Sequence, residues 1–170
     1  MKKNWFEPYL TLFPWIQGNY AADMLPNYLN KEAGYPISLY LDSETRNTVE
    51  EFSTSNFIGI NKEEKVYATP KSTSVLPSIT NKSLMQLAAD AGYDVQQRDI
   101  QLDELKDFDE VIACGTAVIV TSVGKITNLS SGETIEYSDE VPEVTKMLYD
   151  QVKSIQFGET EDRYGWNFPV

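Results

Sequence analysis

The run EVIACGTAVIV, residues 110–120, sets a glycine between two stretches of apolar, largely β-branched residues. Such residues suit a pleated, buried surface, so the run reads as two core strands, VIAC and AVIVTSVGKI, with Cys114-Gly115-Thr116 between them. Glycine packs no side chain and loses more backbone freedom on folding than any other residue. Inside an apolar run it therefore marks a turn, a bulge or a close approach of backbone to something else.

The rest of the chain supplies partners for these strands. ISLYLD (37–42) reads as a strand followed by the polar turn DSETRN. NFIGI and KVYAT flank NKEE as a hairpin, DVQQRDI (94–100) alternates as a strand does, and ETIEY (133–137) adds a short one. AADMLPNYLNKEAG (21–34) is helical, stopped by Gly34 with Pro36 beyond. NKSLMQLAADAGY (81–93) carries Leu84, Leu87 and Ala88 at helical spacing and ends at Gly92. LDELKDF makes one or two helical turns. PEVTKMLYDQVKSIQFG places Pro142 at a first helical position and Val144, Met147, Leu148, Val152 and Ile155 on one face. Strands and helices mix without a strict βαβ rhythm, which favours α+β over a doubly wound sheet. The simplest organisation is an irregular, aromatic-rich lead over residues 1–17, with Trp5, Phe6, Tyr9, Phe13 and Trp15, then one domain over 18–170.

Composition narrows the chemistry. Fourteen basic against 26 acidic residues give a formal charge of −12, which disfavours nucleic acid and anionic membrane surfaces as partners. There is no histidine, so a histidine-based triad and histidine-containing zinc sites are excluded, and no metal site is expected. The single cysteine, Cys114, fits a reducing compartment and reads as a small buried hydrophobe rather than a nucleophile. MKKNWFEPYL lacks the apolar core of a signal peptide, and no apolar run reaches membrane-spanning length. A soluble, cytoplasmic chain is the expectation.

Two loops carry features suited to binding an anion. In LPSIT, Thr80 stands where a hydroxyl caps a helix and where free backbone N–H groups face outward. In CGTA, a Gly-Thr step at a strand end offers a second hydroxyl and more backbone donors. Each also has a plain structural role: Thr80 as a cap, Gly115 as a bulge, and the pair Glu50-Glu51 as a solvated charge pair.

Taken together and in order, GNYAA, EEFSTSNF, ATPKSTSVLPSIT, CGTAVIVTSVGKI and LYDQVKSIQFGETEDRYGW resemble the C-terminal half of branched-chain-amino-acid aminotransferases. These are class IV, fold-type IV pyridoxal-phosphate enzymes, and the resemblance runs from Gly18 to Trp166. It implies the large domain of that fold, a mixed sheet or pseudo-barrel flanked by helices. It further implies pyridoxal phosphate as cofactor, Leu, Ile or Val and 2-oxoglutarate as substrates, and a second copy of the chain as partner. By the same resemblance, Glu51 pairs with the pyridine nitrogen and Tyr20 lies near the phenolic oxygen. Ile79, Thr80 and Thr116 hold the phosphate, and the N–H groups of Thr116 and Ala117 meet the substrate carboxylate.

The chain departs from the family where the chemistry is centred. The lysine that takes the cofactor's aldehyde stands four residues before the Asn of GNY, and here that position is Trp15. No lysine occurs between Lys3 and Lys31, and Lys71 and Lys82 lie near the presumed phosphate loops, on either side of LPSIT. The basic residue that often follows SIT is Asn81. The family's small domain, which supplies an arginine to the phosphate and one wall of the pocket, has no counterpart in the matched motifs. The implied reading is a truncated, aminotransferase-like chain with no catalytic residue of its own. The alternatives are a non-catalytic binding or oligomerising protein and half of a split enzyme.

Overall fold

One strand organises the sheet by taking different neighbours along its two edges. A computed structural model describes residues 21–138 and 140–168 of the chain. In order these form helix α1 (Ala21–Glu32), strands β1 (Leu39–Leu41), β2 (Val49–Phe52), β3 (Ser55–Asn61) and β4 (Val66–Pro70), helix α2 (Ile79–Asp90), strand β5 (Asp94–Arg98) and a 3₁₀ helix (Leu102–Asp107). Strands β6 (Glu110–Gly115), β7 (Ile119–Val123), β8 (Lys125–Thr127) and β9 (Thr134–Glu136) follow, then helix α3 (Glu143–Gln156). Strand β6 pairs antiparallel with β3 from Asn56 to Ile60. On the other edge, β2 pairs with Ser55 and Asn56, and β4 with Gly59 to Asn61. The sheet therefore forks beside Phe57, whose carbonyl accepts a hydrogen bond from the Thr69 hydroxyl at 2.9 Å.

The fork closes on itself. Strands β4 and β5 are parallel neighbours joined through α2, a single βαβ unit in a sheet otherwise built from antiparallel pairs. Beyond β5, Thr48 bridges Gln101, Val49 N–H donates to the Ile100 carbonyl at 2.8 Å and Leu102 N–H to that of Asn47 at 2.7 Å. The chain after β5 thus returns to the start of β2 and makes a small pseudo-barrel of β2, β3, β4 and β5. Its lining is Val49, Phe52, Phe57, Val66, Ala68, Ile100, Leu105 and Phe108. Phe108 packs so closely on β3 that a Cβ at Gly59 would lie 2.7 Å from its ring, so only glycine fits there. The opposite face carries Ile58, Ile60, Tyr67, Ile112 and Cys114, covered by Leu84, Leu87 and Ala88 of α2 and Val144, Leu148, Val152 and Ile155 of α3. This α+β arrangement, mixed sheet below and two helices above, is the one the sequence pattern implies.

Several boundaries differ from those the pattern suggests. The second strand of the opening run starts at Ile119 rather than Ala117, and Gly124 separates β7 from β8. Pro142 is the N-cap of α3 rather than its first helical residue. The polar turn after β1 is held by Asp42, whose carboxylate accepts from the Thr45 hydroxyl at 2.6 Å and from the Thr48 amide at 2.9 Å. Those bonds, led by the one from Thr45, hold its carboxyl below the usual carboxylate range. The lead over 1–17 lies outside the described residues.

A proline cap offers no side-chain acceptor, and α3 draws one from the sheet. Glu110, fully buried at the start of β6, accepts from the Val144 amide at 3.1 Å and from the Thr145 amide and hydroxyl at 2.9 Å each. Lys62 Nζ stands 3.9 Å from it. A buried carboxylate at a helix N-terminus satisfies free donors and complements the helix dipole. Replacing Glu110 with Ala leaves those donors dry and unpaired, at a cost of about 3 kcal/mol. Urea unfolding at neutral pH is expected to show this loss, with Glu110→Gln retaining part of the stability.

Candidate functional site

The fork in the sheet opens a gap that the loop from Lys71 to Ser78 fills. Glu51 and Asn56 face each other across β2 and β3, and Asn56 in turn faces Cys114 across β3 and β6. The result is a row of three side chains on the helix-covered face. Asn56 is buried; its Nδ2 donates to the Leu76 carbonyl at 2.9 Å and to Glu51 Oε2 at 3.3 Å. The Leu76 amide donates to the same Oε2 at 3.4 Å, while Ser72 Oγ donates to Glu50 Oε1 at 3.1 Å. The Glu50-Glu51 pair is therefore no solvated charge pair. Both carboxylates tether the loop.

Glu51 is half-buried and has few partners for a charged group. Burial lifts its carboxyl, the Leu76 amide pulls it back, and the Glu50 charge lifts it again, leaving it at about 7. Near neutral pH it can hold a proton or release one.

Helix α2 begins beside this row. Its cap is Ser78, whose Oγ accepts from the Asn81 amide at 3.1 Å. The expected cap, Thr80, is instead the second helical residue, because the chain turns into the helix two residues earlier. The Ser-x-x pattern before an apolar run signals this cap in the sequence. With the Asn81 amide engaged, the Ile79 and Thr80 amides remain as first-turn donors without intrahelical acceptors. Ile79 is 76% exposed, which leaves this first turn at the surface. The Cys114 thiol touches the Ser78 side chain, and burial pushes it up to about 12. A thiol with so little thiolate is inert, in keeping with a core role.

Thr116 and Ala117 follow Cys114 into an exposed turn. Gly115 does not bulge its strand: it pairs with Ile119 in unbroken register, and a Cβ there would meet its neighbours at an ordinary 3.9 Å. The conformational cost falls on Ile119 instead, at φ 64 with Val120 N–H bonded to the Val118 carbonyl at 2.8 Å. A γ-turn with positive φ at a β-branched residue is strained, and such strain gathers at functional loops. The structure thus gathers Glu51, the Ile79-Thr80 helix start and the Thr116-Ala117 turn at one end of the sheet, around Asn56, Ser78 and Cys114. Trp15 and Tyr20 lie outside the described residues.

A cavity of about 560 Å³ lies on the other face of the sheet among Pro36, Leu41, Phe52, Ala113, Val123 and Ile126. None of the described site residues lines it. Among the described residues no cluster of acidic or cysteine side chains could hold a metal, and no helix is long and apolar enough to cross a membrane.

A family model described as amino-transferase class IV matches residues 17–126, and the chain belongs to that family. Within it the likeness is to branched-chain enzymes. The branched-chain-amino-acid aminotransferase of Haemophilus influenzae is 41% identical over 157 residues, taking in 89% of this chain and 46% of its own length. The solved Escherichia coli branched-chain amino acid aminotransferase has a TM-score of 0.74 at 28% identity, over 88% of this chain and 46% of that one. The T.th. branched-chain amino acid aminotransferase, solved in complex with N-(5'-phosphopyridoxyl)-L-glutamate, has a TM-score of 0.73 at 28% identity, over 89% and 48%. The chain spans about half the length of the relatives it matches.

Because the Glu51 carboxyl is lifted in the folded chain, folding favours its protonated form. The stability this contributes is present at pH 4 and is lost as pH rises through about 7. Glu51→Gln removes that dependence. Thermal melts are expected to show the variant ahead of the parent chain at pH 8 and level with it at pH 4–5. The Cys114 thiol should resist iodoacetamide in the native state and react only as fast as the chain unfolds.

Proposed function

We propose that the chain forms the cofactor floor of a branched-chain-aminotransferase-like site, holding pyridoxal 5′-phosphate without covalent attachment and transferring no amino group by itself. The observation that carries this reading is the half-buried, proton-holding Glu51 beside the open start of α2. A carboxyl of that kind suits a ring nitrogen, and helix-start amides suit a phosphate. The solved relative that carries a phosphopyridoxyl group supports the same choice of cofactor.

The residues fit the non-covalent part of this cofactor. Glu51 would pair with the pyridine nitrogen, where a carboxyl lifted to about 7 could supply a proton near neutral pH. The carboxylate left behind keeps its hydrogen bonds from Asn56 and Leu76. Ile79, Thr80 and Thr116 would grip the phosphate through amides and hydroxyls, the Thr116 and Ala117 amides would receive a substrate carboxylate, and the family resemblance assigns Tyr20 to the phenolic oxygen. When bound, pyridoxal phosphate supplies an electron sink for bonds at the substrate α-carbon. What the chain lacks is an amine at position 15. The indole of Trp15 donates one hydrogen bond and has no useful basicity, so it neither attaches to the aldehyde nor moves a proton. Branched-chain amino acids and 2-oxo acids become substrates only when further groups complete the site.

Adding pyridoxal 5′-phosphate is expected to raise the melting temperature, and more than pyridoxal does, by mass action on the folded state. No imine absorbance should develop and borohydride should trap no lysine adduct. Leucine and 2-oxoglutarate should exchange no amino group. Turnover near ordinary enzyme rates, roughly 1–10³ per second, overturns the proposal.

A further inference from the structure

The cofactor reading leaves unused a buried hydrogen-bond chain beneath the start of α2. Tyr67 OH donates to Asn81 Oδ1 at 2.6 Å, Asn81 Nδ2 donates to Thr69 Oγ1 at 2.9 Å, and Thr69 Oγ1 donates to the Phe57 carbonyl at 2.9 Å. Tyr67, Thr69 and Asn81 are 0%, 1% and 8% exposed. Burial raises the Tyr67 phenol well above its ordinary value, so it stays a neutral donor. In a dry site each of these bonds matters, because a member left unpaired keeps its full desolvation penalty.

Asn81 is engaged twice. Its backbone amide is the one Ser78 caps, and its side chain is clasped by two residues that share a face of β4. The Asn81–Thr69 bond also spans 12 residues of sequence and closes the loop that runs from Lys71 to Ser78. Inside that closed loop, Leu76 is tied to Glu51 and Asn56. The helix start and the Glu51 carboxyl are thus two points on one cross-linked frame, and Asn81 is the bolt between frame and sheet. A lysine or arginine, being a donor only, could not accept the Tyr67 hydroxyl as Asn81 does.

We infer that Asn81 is a positioning residue, whose side chain, held between Tyr67 and Thr69, aims the Ile79 and Thr80 amides and sets their span from Glu51. The inference rests on the reading of that helix start as the phosphate grip. It makes the grip at this position a matter of aligned neutral donors, with a buried strut where a basic side chain would add charge.

The test compares the parent chain with Asn81→Ala and Tyr67→Phe by amide NMR, first without ligand and then in titrations with pyridoxal 5′-phosphate and pyridoxal. Asn81→Ala is expected to shift the Ile79 and Thr80 amide signals and speed their hydrogen exchange before any ligand is added. It should weaken pyridoxal 5′-phosphate by about tenfold while changing pyridoxal little. Tyr67→Phe should move the same amides less, and it is read in the same way if Asn81→Ala does not fold. Folded variants whose two amides keep their shifts and exchange rates overturn the inference, as does unchanged phosphate-dependent binding. If the parent chain binds no pyridoxal 5′-phosphate, the cofactor reading fails, and the ligand-free amide signals still decide the role of Asn81.

Discussion

Strand β3 cannot satisfy both edges with single partners, and much of the molecule follows from how it solves that problem. Strand β6 runs along one edge, while the other is handed from β2 to β4 at Phe57. Where two strands part, backbone groups lose their ladder partners and must find others. The Thr69 hydroxyl takes the Phe57 carbonyl, Thr69 is held by Asn81, and Asn81 fixes the start of α2. The same parting leaves room for the loop that Asn56 ties to Glu51. One unpaired stretch of backbone thereby calls up both the helix start and the carboxyl that face the candidate site.

Three buried or half-buried polar groups show how differently the fold treats them. Glu110 has three donors from α3 and a lysine 3.9 Å away. Asn81 is answered by two hydroxyls and a cap. Among the described residues Glu51 receives two long hydrogen bonds, at 3.3 and 3.4 Å, and it stands beside another carboxylate. The first two carry structure. The third is lifted toward neutral pH, and this asymmetry is what supports proposing it as the functional carboxyl.

The relation to branched-chain aminotransferases is strong over nearly the whole chain and covers half of each relative. On the proposed reading that half is the floor of the site, with Trp15 where the reactive amine would stand. Helix α1 presents Met24, Leu25, Tyr28 and Leu29 to solvent, at 70%, 49%, 60% and 56% exposure. It is the described helix that takes no part in either core cluster.

Much of the secondary structure was legible because its signals are local. The NFIGI–KVYAT hairpin, the helical spacing of Leu84, Leu87 and Ala88, and the amphipathic face of α3 depend on neighbours a few residues apart. Glu51, Ile79, Thr80 and Thr116 stand as candidates from ordered motifs, since family likeness resides in sequence. Other features joined residues that no local pattern links. The cap of α3 is Glu110, 34 residues from Val144, and the strut under α2 reaches 14 residues back to Tyr67. Gly115 reads from sequence as a bulge, yet it pairs in register and the positive φ falls at Ile119, because register is set by a whole strand pair and not by one residue. Hydrophobic period and turn residues settle which segments become helix and strand. Which polar groups are answered, and which one stays free for chemistry, is decided only when the packed chain removes water from some of them and leaves others beside the gap where β2 and β4 part.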